Sequence, residues 1–405
     1  MTSAERLRLV FIIGGLSAFG PLSIDMYLPA LPSLAQDLGG TESVVQLTLT
    51  AFMLGLALGQ LVAGSLSDAL GRRRPLLVGL VCYTVASLLC AVSPSIVALI
   101  ILRFVQGASG AAGIVIARAV VRDHFTGNDV ARFFGLTMLV NGLAPILAPL
   151  IGGQILRFTT WRGVFILLTA IGAVMLTASA LGLAESLPRE RRRAGGLGAS
   201  VAPFRRLAAD RVFIGYALAL GLAFGAMFAY ISGSPFVLED IYGVSPQMFG
   251  IFFGINALGI VFMSQVSVRL IERVGPRRLL AIGLATAFTG GLLLLAVVML
   301  GGGLTLILPA LILVVSSVGL ISPNATALAM ADHPDVAGSA SAFLGLLQFF
   351  VGGLVAPLVG IAGTTALPMA VVIASMTASA GLVFVLLTRP APRPRELPQR
   401  HPSGR

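Results

Sequence analysis

Long apolar runs alternate with short polar segments along nearly the whole of this 405-residue chain. Each run extends for about 20 residues, enough to cross the roughly 30 Å hydrocarbon core of a bilayer as a helix. We count twelve such runs, so the pattern predicts an all-α polytopic membrane protein with twelve transmembrane helices. The predicted spans are 8–31, 44–66, 75–93, 96–118, 133–156, 163–184, 212–234, 247–269, 277–299, 304–327, 338–361 and 366–388.

The composition agrees with this assignment and excludes several classes of function. Hydrophobic residues make up 57% of the chain and charged residues 11%, whereas soluble domains carry about 25% charged residues. The net charge of +11 comes from 27 basic residues, all arginine, in short clusters between the apolar runs, so we expect no nucleic acid partner. The histidines lie outside the runs, and neither a metal-ligand cluster nor a nucleotide-binding loop is present. We therefore expect no cofactor and no enzymatic activity.

The arginines predict the orientation of the chain in the membrane. They lie at the first terminus, in four of the five loops on the same side and in the tail, whereas the opposite loops hold only Arg157 and Arg162. Positively charged loops stay on the cytoplasmic side, so we expect both termini in the cytoplasm of a bacterium, with the spans in its inner (plasma) membrane.

The longest polar stretch before the tail divides the spans into two sets of six. It is rich in Arg, Gly and Pro and is typical of a flexible cytoplasmic linker. The segments SDALGRRRP at 67–75 and IERVGPRRL at 271–279 align, and each follows the second span of its half. We therefore predict two repeated bundles with a substrate site between them near the midplane. The predicted units are a six-helix bundle at 1–185, the linker at 186–210, a second bundle at 211–389 and a cytoplasmic tail at 390–405.

One carboxylate, Asp25, lies inside a predicted span, in SIDMYLPALP. An ionisable group at mid-helix costs about 2.5–3.5 kcal/mol, so it usually faces a cavity or a partner. Burial disfavours the ionised form of a carboxyl, which would allow Asp25 to take up and release a proton. The alternative is an acid that only pairs with a basic residue to hold two helices together. On a continuous helix it shares a mainly small-residue face with Gly14, Ser17, Ala18, Pro21 and Pro29.

Arg103, in LIILRFVQGASGAAG of the fourth predicted span, is the natural counterpart of Asp25. Both residues lie in the outer halves of their spans, so their depths in the membrane are compatible. We therefore hypothesise an ion pair between them. Protonation of Asp25 would break such a pair. The alternative is an arginine that extends to the membrane interface.

The segment GSLSDALGRRRP at 64–75 joins the second and third spans. It resembles the G-x3-D-[RK]-x-G-[RK]3 signature of the major facilitator superfamily. Ala69 departs from the usual basic residue. The resemblance implies a major facilitator fold and a cytoplasmic latch between the halves, closed when the cavity faces outward. The alternative is a plain positive-inside cluster. The latch residues are Gly64, Asp68, Gly71, Arg72, Arg73 and Arg74.

Further segments resemble signatures of the same superfamily. Arg103, Gln106 and Gly107 resemble the fourth-span R-x-x-Q-G signature, which is linked to proton coupling. Gly135, Pro149 and Gly152 resemble the fifth-span antiporter motif, in which a packing role is an alternative to a role in exchange. The segments IDMYLPALP, APLIGGQ, YISGSPFVL, SPNATALAMA and AGSASAFLGLLQF together resemble the Bcr/CflA (bicyclomycin-resistance-like) subfamily of drug:proton antiporters.

Further polar residues within the spans are candidates for a substrate cavity. Each of them could instead make only an interhelical hydrogen bond. The candidates are Tyr27, Gln60, Asn141, Tyr230, Ser232, Asn256, Asn324 and Gln348.

These observations predict a proton-coupled secondary transporter, a monomer with a small-molecule substrate and protons as its partners in the lipid bilayer. Its expected function is the export of small, largely apolar drugs or toxic compounds by alternating access. The alternative is a proton-coupled transporter, by efflux or symport, of a defined metabolite such as an amino acid or sugar.

Overall fold

The computed structural model describes residues 3–124, 128–192, 201–333, 336–361, 363 and 365–388. Within its helices, side chains are not described at 3–7, 122, 128–141, 191, 201–203 and 337. The predicted tail therefore lies outside the described residues.

Fifteen α-helices follow one another along the described residues, with no strand among them. They are α1 (Ser3–Ser17), α2 (Phe19–Asp25), α3 (Leu31–Leu38), α4 (Glu42–Leu70), α5 (Arg73–Ala91), α6 (Ile96–His124), α7 (Asn128–Ile155), α8 (Trp161–Gly182), α9 (Val201–Ala209), α10 (Arg211–Pro235), α11 (Pro246–Val274), α12 (Pro276–Met299), α13 (Leu304–Met330), α14 (Ala337–Val355) and α15 (Leu367–Leu387). Short helical turns of other types lie at Leu28–Ala30, Arg189–Arg191 and Ala356–Gly360, and a π-helix lies at Phe236–Ile241.

These helices account for the twelve predicted spans. Among the described residues, ten helical segments are long and apolar enough to cross a membrane, and α1 with α2 and α3 forms an eleventh, bent segment. The remaining predicted span corresponds to α7, which contains the shorter apolar segment Gly142–Ile155. The all-α fold predicted from the apolar runs is thus confirmed.

The first span is not the continuous helix that the sequence predicted. Its axis turns by 44° between Ser17 and Phe19. Pro21 has no N–H to donate to the Ser17 carbonyl, so one helical hydrogen bond is missing at this point. The Ser17 hydroxyl also donates to the Ile13 carbonyl at 2.8 Å. The predicted stripe of small residues is therefore interrupted before it reaches Asp25.

The predicted flexible linker also contains regular structure. Helix α9 occupies its last third, and Leu207 on this helix is fully buried. The Phe204 ring lies 5.6 Å from that of Phe343 on α14. The helix forms because its apolar residues recur at helical spacing and pack on the second half, while Arg205 and Arg206 remain on the other side. Asp210 then accepts bonds from the first backbone N–H groups of α10 and starts that helix.

The two halves repeat the contacts that end their helices. Gly71 and Gly275 follow α4 and α11 with φ of 93° and 84°, in a region that favours glycine. Arg8 donates to the Gly182 carbonyl at the end of α8, and Arg211 donates to the Leu386 carbonyl at the end of α15. These matching contacts support the two-bundle hypothesis, and the boundaries at 185, 210 and 389 stay a prediction.

The halves meet at one end of the molecule and separate at the other. We call the end that holds Arg72, Arg73 and Arg277 the arginine-rich end, and the other the opposite end. At the opposite end a hydrophobic cluster joins residues of both halves, including Tyr27, Leu31, Tyr230 and Val359. At the arginine-rich end each half has a separate cluster. The fold thus encloses a space that is closed at the opposite end.

Candidate functional site

A cavity of about 1010 Å³ lies between the two halves. Asp25 and Tyr230 line its closed part, and the lining continues to Asp68 on α4 and Phe204 on α9, at the arginine-rich end. Much of its wall is apolar. Among the candidates from the sequence, Gln60, Tyr230, Asn256 and Gln348 line it, with the phenylalanines Phe224, Phe228, Phe253 and Phe349.

Asp25 ends α2 and lines the cavity without a protein partner. The residue is only 6% exposed. It makes no hydrogen bond or ion pair with any residue that the structure describes. A carboxylate in such a place depends on a ligand, a proton or water for its stabilisation.

The predicted ion pair between Arg103 and Asp25 is absent, because other groups hold the arginine. Its guanidinium donates to the Gln106 side chain at 2.7 Å and to the Ser23 carbonyl at 3.1 Å. Its Cζ lies 4.3 Å from the Phe52 ring centroid and 4.8 Å from that of Tyr27. Aromatic faces stabilise a buried cation. Arg103 is fully buried, so it does not extend to the interface either.

The glycine after this arginine has a clear structural role. A Cβ on Gly107 would overlap the Phe52 carbonyl oxygen, and one on Gly55 would overlap the Phe104 carbonyl oxygen. Helices α4 and α6 therefore approach each other at backbone distance. This close approach places Phe52 beneath the Arg103 guanidinium.

The latch residues form an ionic network at the arginine-rich end. The Arg72 guanidinium lies 2.5 Å from Asp68 and 3.0 Å from Asp123. Its backbone N–H donates to Glu185 at 2.7 Å. Burial lowers the pKa of Arg72, but the two aspartates outweigh it and raise that pKa above its ordinary value.

Backbone carbonyls hold the neighbouring arginine. Arg73 donates to the Leu183 carbonyl at 3.0 Å and to the Ala180 carbonyl at 2.8 Å. Among the described residues, the partners of Arg72 and Arg73 lie in the first half or directly after α8. The network thus makes no described contact with the second half, as the resemblance implies for a cavity open at this end.

The fifth-span residues lie at the closed end. A Cβ on Gly152 would overlap the Met26 carbonyl oxygen, and Pro149 packs its carbonyl against Gly250 of the second half. These contacts support the packing alternative for Pro149 and Gly152. The packing of Gly135 and the side chain of Asn141 lie outside what the structure describes.

Two cavity candidates serve in helix packing instead. The Tyr27 hydroxyl lies 3.1 Å from the Thr48 hydroxyl, and its ring faces Arg103. The Asn324 amide donates to Ser267 at 2.7 Å and links α13 to α11. Neither residue lines the cavity.

Sequence reasoning missed the polar residues that join the halves at the opposite end. Gln46 donates to the Ser232 carbonyl at 3.1 Å, and Thr50 donates to the Gly353 carbonyl at 2.7 Å. Gln247 donates to the Gly153 carbonyl at 2.8 Å. The polar residues spaced along VVQLTLTAF were the available signal, since a buried amide in a span needs a partner.

A two-bundle helical membrane protein with a central cavity open at one end defines a class, the secondary transporters. The family model of the Major Facilitator Superfamily matches residues 13–357. The chain belongs to this superfamily, and it is a transporter rather than an enzyme.

Its relatives include named drug-resistance proteins. The chain is 44% identical to the MFS-type transporter YdgK of Bacillus subtilis, over 96% of this chain and 97% of that one. It is 32% identical to a bicyclomycin resistance protein homolog of Haemophilus influenzae, over 95% and 97%. The match to the resistance protein homolog confirms the resemblance to the drug-efflux subfamily.

Solved structures agree on the fold. A bacterial homolog of the human lysosomal transporter Spinster, in an inward-facing and unoccupied conformation, has a TM-score of 0.76 at 15% identity, over 96% of both chains. A D-xylose–proton symporter has a TM-score of 0.70 at 15% identity, over 96% of this chain and 98% of that one.

Proposed function

We propose that the protein exports small, largely apolar drugs or toxic compounds in exchange for protons, by alternating access and as a monomer. The observation that carries this proposal is the cavity between the halves, whose largely apolar wall holds the unpartnered carboxyl of Asp25. One charge that moves through 100 mV releases about 2.3 kcal/mol. That energy supports roughly a fifty-fold gradient of a neutral substrate.

The distribution of arginine supports the direction of transport. Positively charged loops stay in the cytoplasm, so the arginine-rich end and both termini are cytoplasmic in this proposal. The cavity would then receive its substrate from the cytoplasm. Protease added to sealed vesicles should cut at 188–208 only when the cytoplasmic face is outside. Cleavage from the periplasmic side would overturn this orientation.

Asp25 is the proposed proton carrier. Protonation from the acidic outside would neutralise the carboxyl and favour return to the state open to the cytoplasm. Proton loss inside would restore the charge and admit the next substrate. The absence of a protein partner supports this cycle, because no ion pair has to break before the proton binds.

The test is Asp25→Asn in proteoliposomes, measured as substrate-dependent proton release. Asn has nearly the same shape but cannot titrate. The variant should fold yet lose transport driven by an imposed pH gradient. Asp332→Asn, at an exposed loop position, is the matched control and should behave as the wild type. Uphill transport with normal proton counter-flow in Asp25→Asn would make Asp25 a structural acid.

Candidate substrates can be ranked by uptake into everted vesicles. Bicyclomycin and chloramphenicol come first, because similar proteins are named for resistance to these two drugs. Energised uptake of either drug supports the proposal. Uptake confined to one amino acid or sugar would favour the metabolite alternative.

A further inference from the structure

A second pocket, separate from the central cavity, lies at the opposite end of the molecule. Its volume is about 520 Å³. Asp37 on α3 and Trp161 on α8 line it from the first half, and Glu239 and Pro246 line it from the second. The pocket therefore lies across the boundary between the halves, at the end where the molecule is closed.

Glu239 reaches this boundary from an irregular turn of helix. It lies on the π-helix Phe236–Ile241, and the three residues before it are buried in the hydrophobic cluster that joins the halves. The Glu239 Oε1 is sealed from solvent without a hydrogen-bond partner. The side chain makes no ion pair or hydrogen bond with any residue that the structure describes. Turns of π-helix are rare and are frequent at functional sites.

The arginines near this pocket are engaged elsewhere. Arg162, on α8, forms an ion pair with Asp37 at 2.5 Å. Arg157, between α7 and α8, donates to the Gln154 side chain at 3.3 Å. The charged residues of α10 and α11, which also pack against the π-helix, lie at the arginine-rich ends of those helices. Within the described part of the chain, Glu239 therefore has no positive partner.

The other charges around Glu239 are negative. Asp240 follows it on the π-helix, and Glu42, at the start of α4 in the first half, lies close enough to interact with Asp240. Burial and like charges both disfavour an ionised carboxyl. The closed arrangement thus favours Glu239 as the neutral, protonated acid, whereas an open end would expose its carboxylate to water.

We propose that Glu239 is a second proton-binding site, and that closure of the opposite end requires its protonation. This inference rests on the proposed function for the direction of exchange. In that orientation the acidic outside supplies the proton while the end is open, and closure traps it. The proton returns to the outside when the end reopens. Glu239 therefore gates the return of the cavity to the cytoplasm without adding to the protons that Asp25 would carry across.

The only tryptophan of the chain reports on this boundary. Trp161 is 1% exposed, lines the pocket with Glu239, and donates its indole N–H to Asp37 at 2.9 Å. Separation of the halves at this end would expose the indole ring. Quenching of its fluorescence by acrylamide therefore measures the open fraction.

The test compares quenching between about pH 5 and 9, above the range in which a hydrated glutamate holds its proton. It uses the purified full chain with Asp25→Asn in lipid nanodiscs, so that the proposed proton carrier cannot contribute. Quenching should increase with pH, because loss of one proton favours the open arrangement by up to about tenfold per pH unit. Addition of Glu239→Gln should keep quenching low and constant, since glutamine resembles the neutral acid.

Asp240→Asn, the same kind of change at the exposed neighbouring carboxyl, is the matched control and should retain the increase with pH. A signal from the Asp25→Asn chain that does not change with pH would overturn the inference, whatever the other variants do. The same increase in the chain that also carries Glu239→Gln would overturn it as well.

This measurement needs neither a drug nor a gradient, so it is separate from the coupling test. Drug-driven proton release in the wild type together with quenching that is independent of pH would refute this inference alone. Quenching that depends on Glu239, in a protein without drug-driven proton release, would support the gate and count against the proposed function.

Discussion

The loops that follow the second span of each half, after α4 and α11, have a similar backbone but differ in their charges. Gly71 and Gly275 have similar positive φ values, and Arg73 and Arg277 both donate to backbone carbonyls at the end of the last helix of their half. The position of Arg72, however, is occupied in the second half by Pro276.

This single difference removes the central cation of the network from the second half. Arg72 forms ion pairs with Asp68 and Asp123. Glu272, the counterpart of Asp68, makes no ion pair or hydrogen bond with the residues that the structure describes. The repeat has kept the residues that fix the fold in both halves. Among the described residues the ionic network exists in the first half only, which makes it the part to test for a role in the transport cycle.

The largest difference between the loops is expected in turnover. Asp68→Asn should slow transport by about tenfold, the effect of one charge-assisted hydrogen bond, while substrate binding stays largely intact because the residue lies far from Asp25. Initial rates and equilibrium binding in proteoliposomes measure the two effects. Glu272→Gln is the matched control and should leave the rate unchanged. Loss of binding in a folded Asp68→Asn protein would count against the latch.

Stability should distinguish the two glycines. Alanine at either position has to adopt a conformation that costs about 1–3 kcal/mol. At Gly71 the added Cβ would also overlap the Glu185 carboxylate, whereas nothing lies within 4 Å of the same atom at Gly275. Gly71→Ala should therefore lower the thermal unfolding midpoint in detergent more than Gly275→Ala. Equal shifts would show that the segment after α8 adapts freely.

The two arginines should behave alike. Arg73→Ala and Arg277→Ala each remove bonds to backbone carbonyls, at a cost of about 1–3 kcal/mol. Similar decreases in the unfolding midpoint are expected, and an effect confined to Arg73 would contradict a shared structural role.

The smallest effect concerns acid stability. Burial raises the pKa of Glu185, but hydrogen bonds from the backbone of Leu187, Arg72 and Arg73 outweigh it, and the pKa lies below its ordinary value. Its contribution to stability is thus complete above the unfolded pKa and is lost as the pH falls through the folded one. Glu185→Gln should flatten this part of the stability profile, measured as the unfolding midpoint against pH. An unchanged profile would mean that the bonds contribute nothing measurable.

The sequence by itself determined the all-α membrane fold and placed Asp25 within a span. It also aligned Gly71 with Gly275. These features depend on local patterns, namely the length of apolar runs and glycine at a fixed spacing from charges. They can be read without knowing which helices touch.

Only the tertiary structure decided what the buried groups contact. Asp25 and Arg103 have suitable depths for a pair, yet the arginine bonds the Ser23 carbonyl beside the broken first span and leaves Asp25 facing the cavity. The helix in the predicted linker depends likewise on packing between segments far apart in sequence. The same is true of the hydrogen bond from Gln46 to the Ser232 carbonyl, which joins the two halves. The sequence also did not show which end of the cavity is open. That depends on the relative orientation of the two bundles, which the hydropathy pattern does not specify.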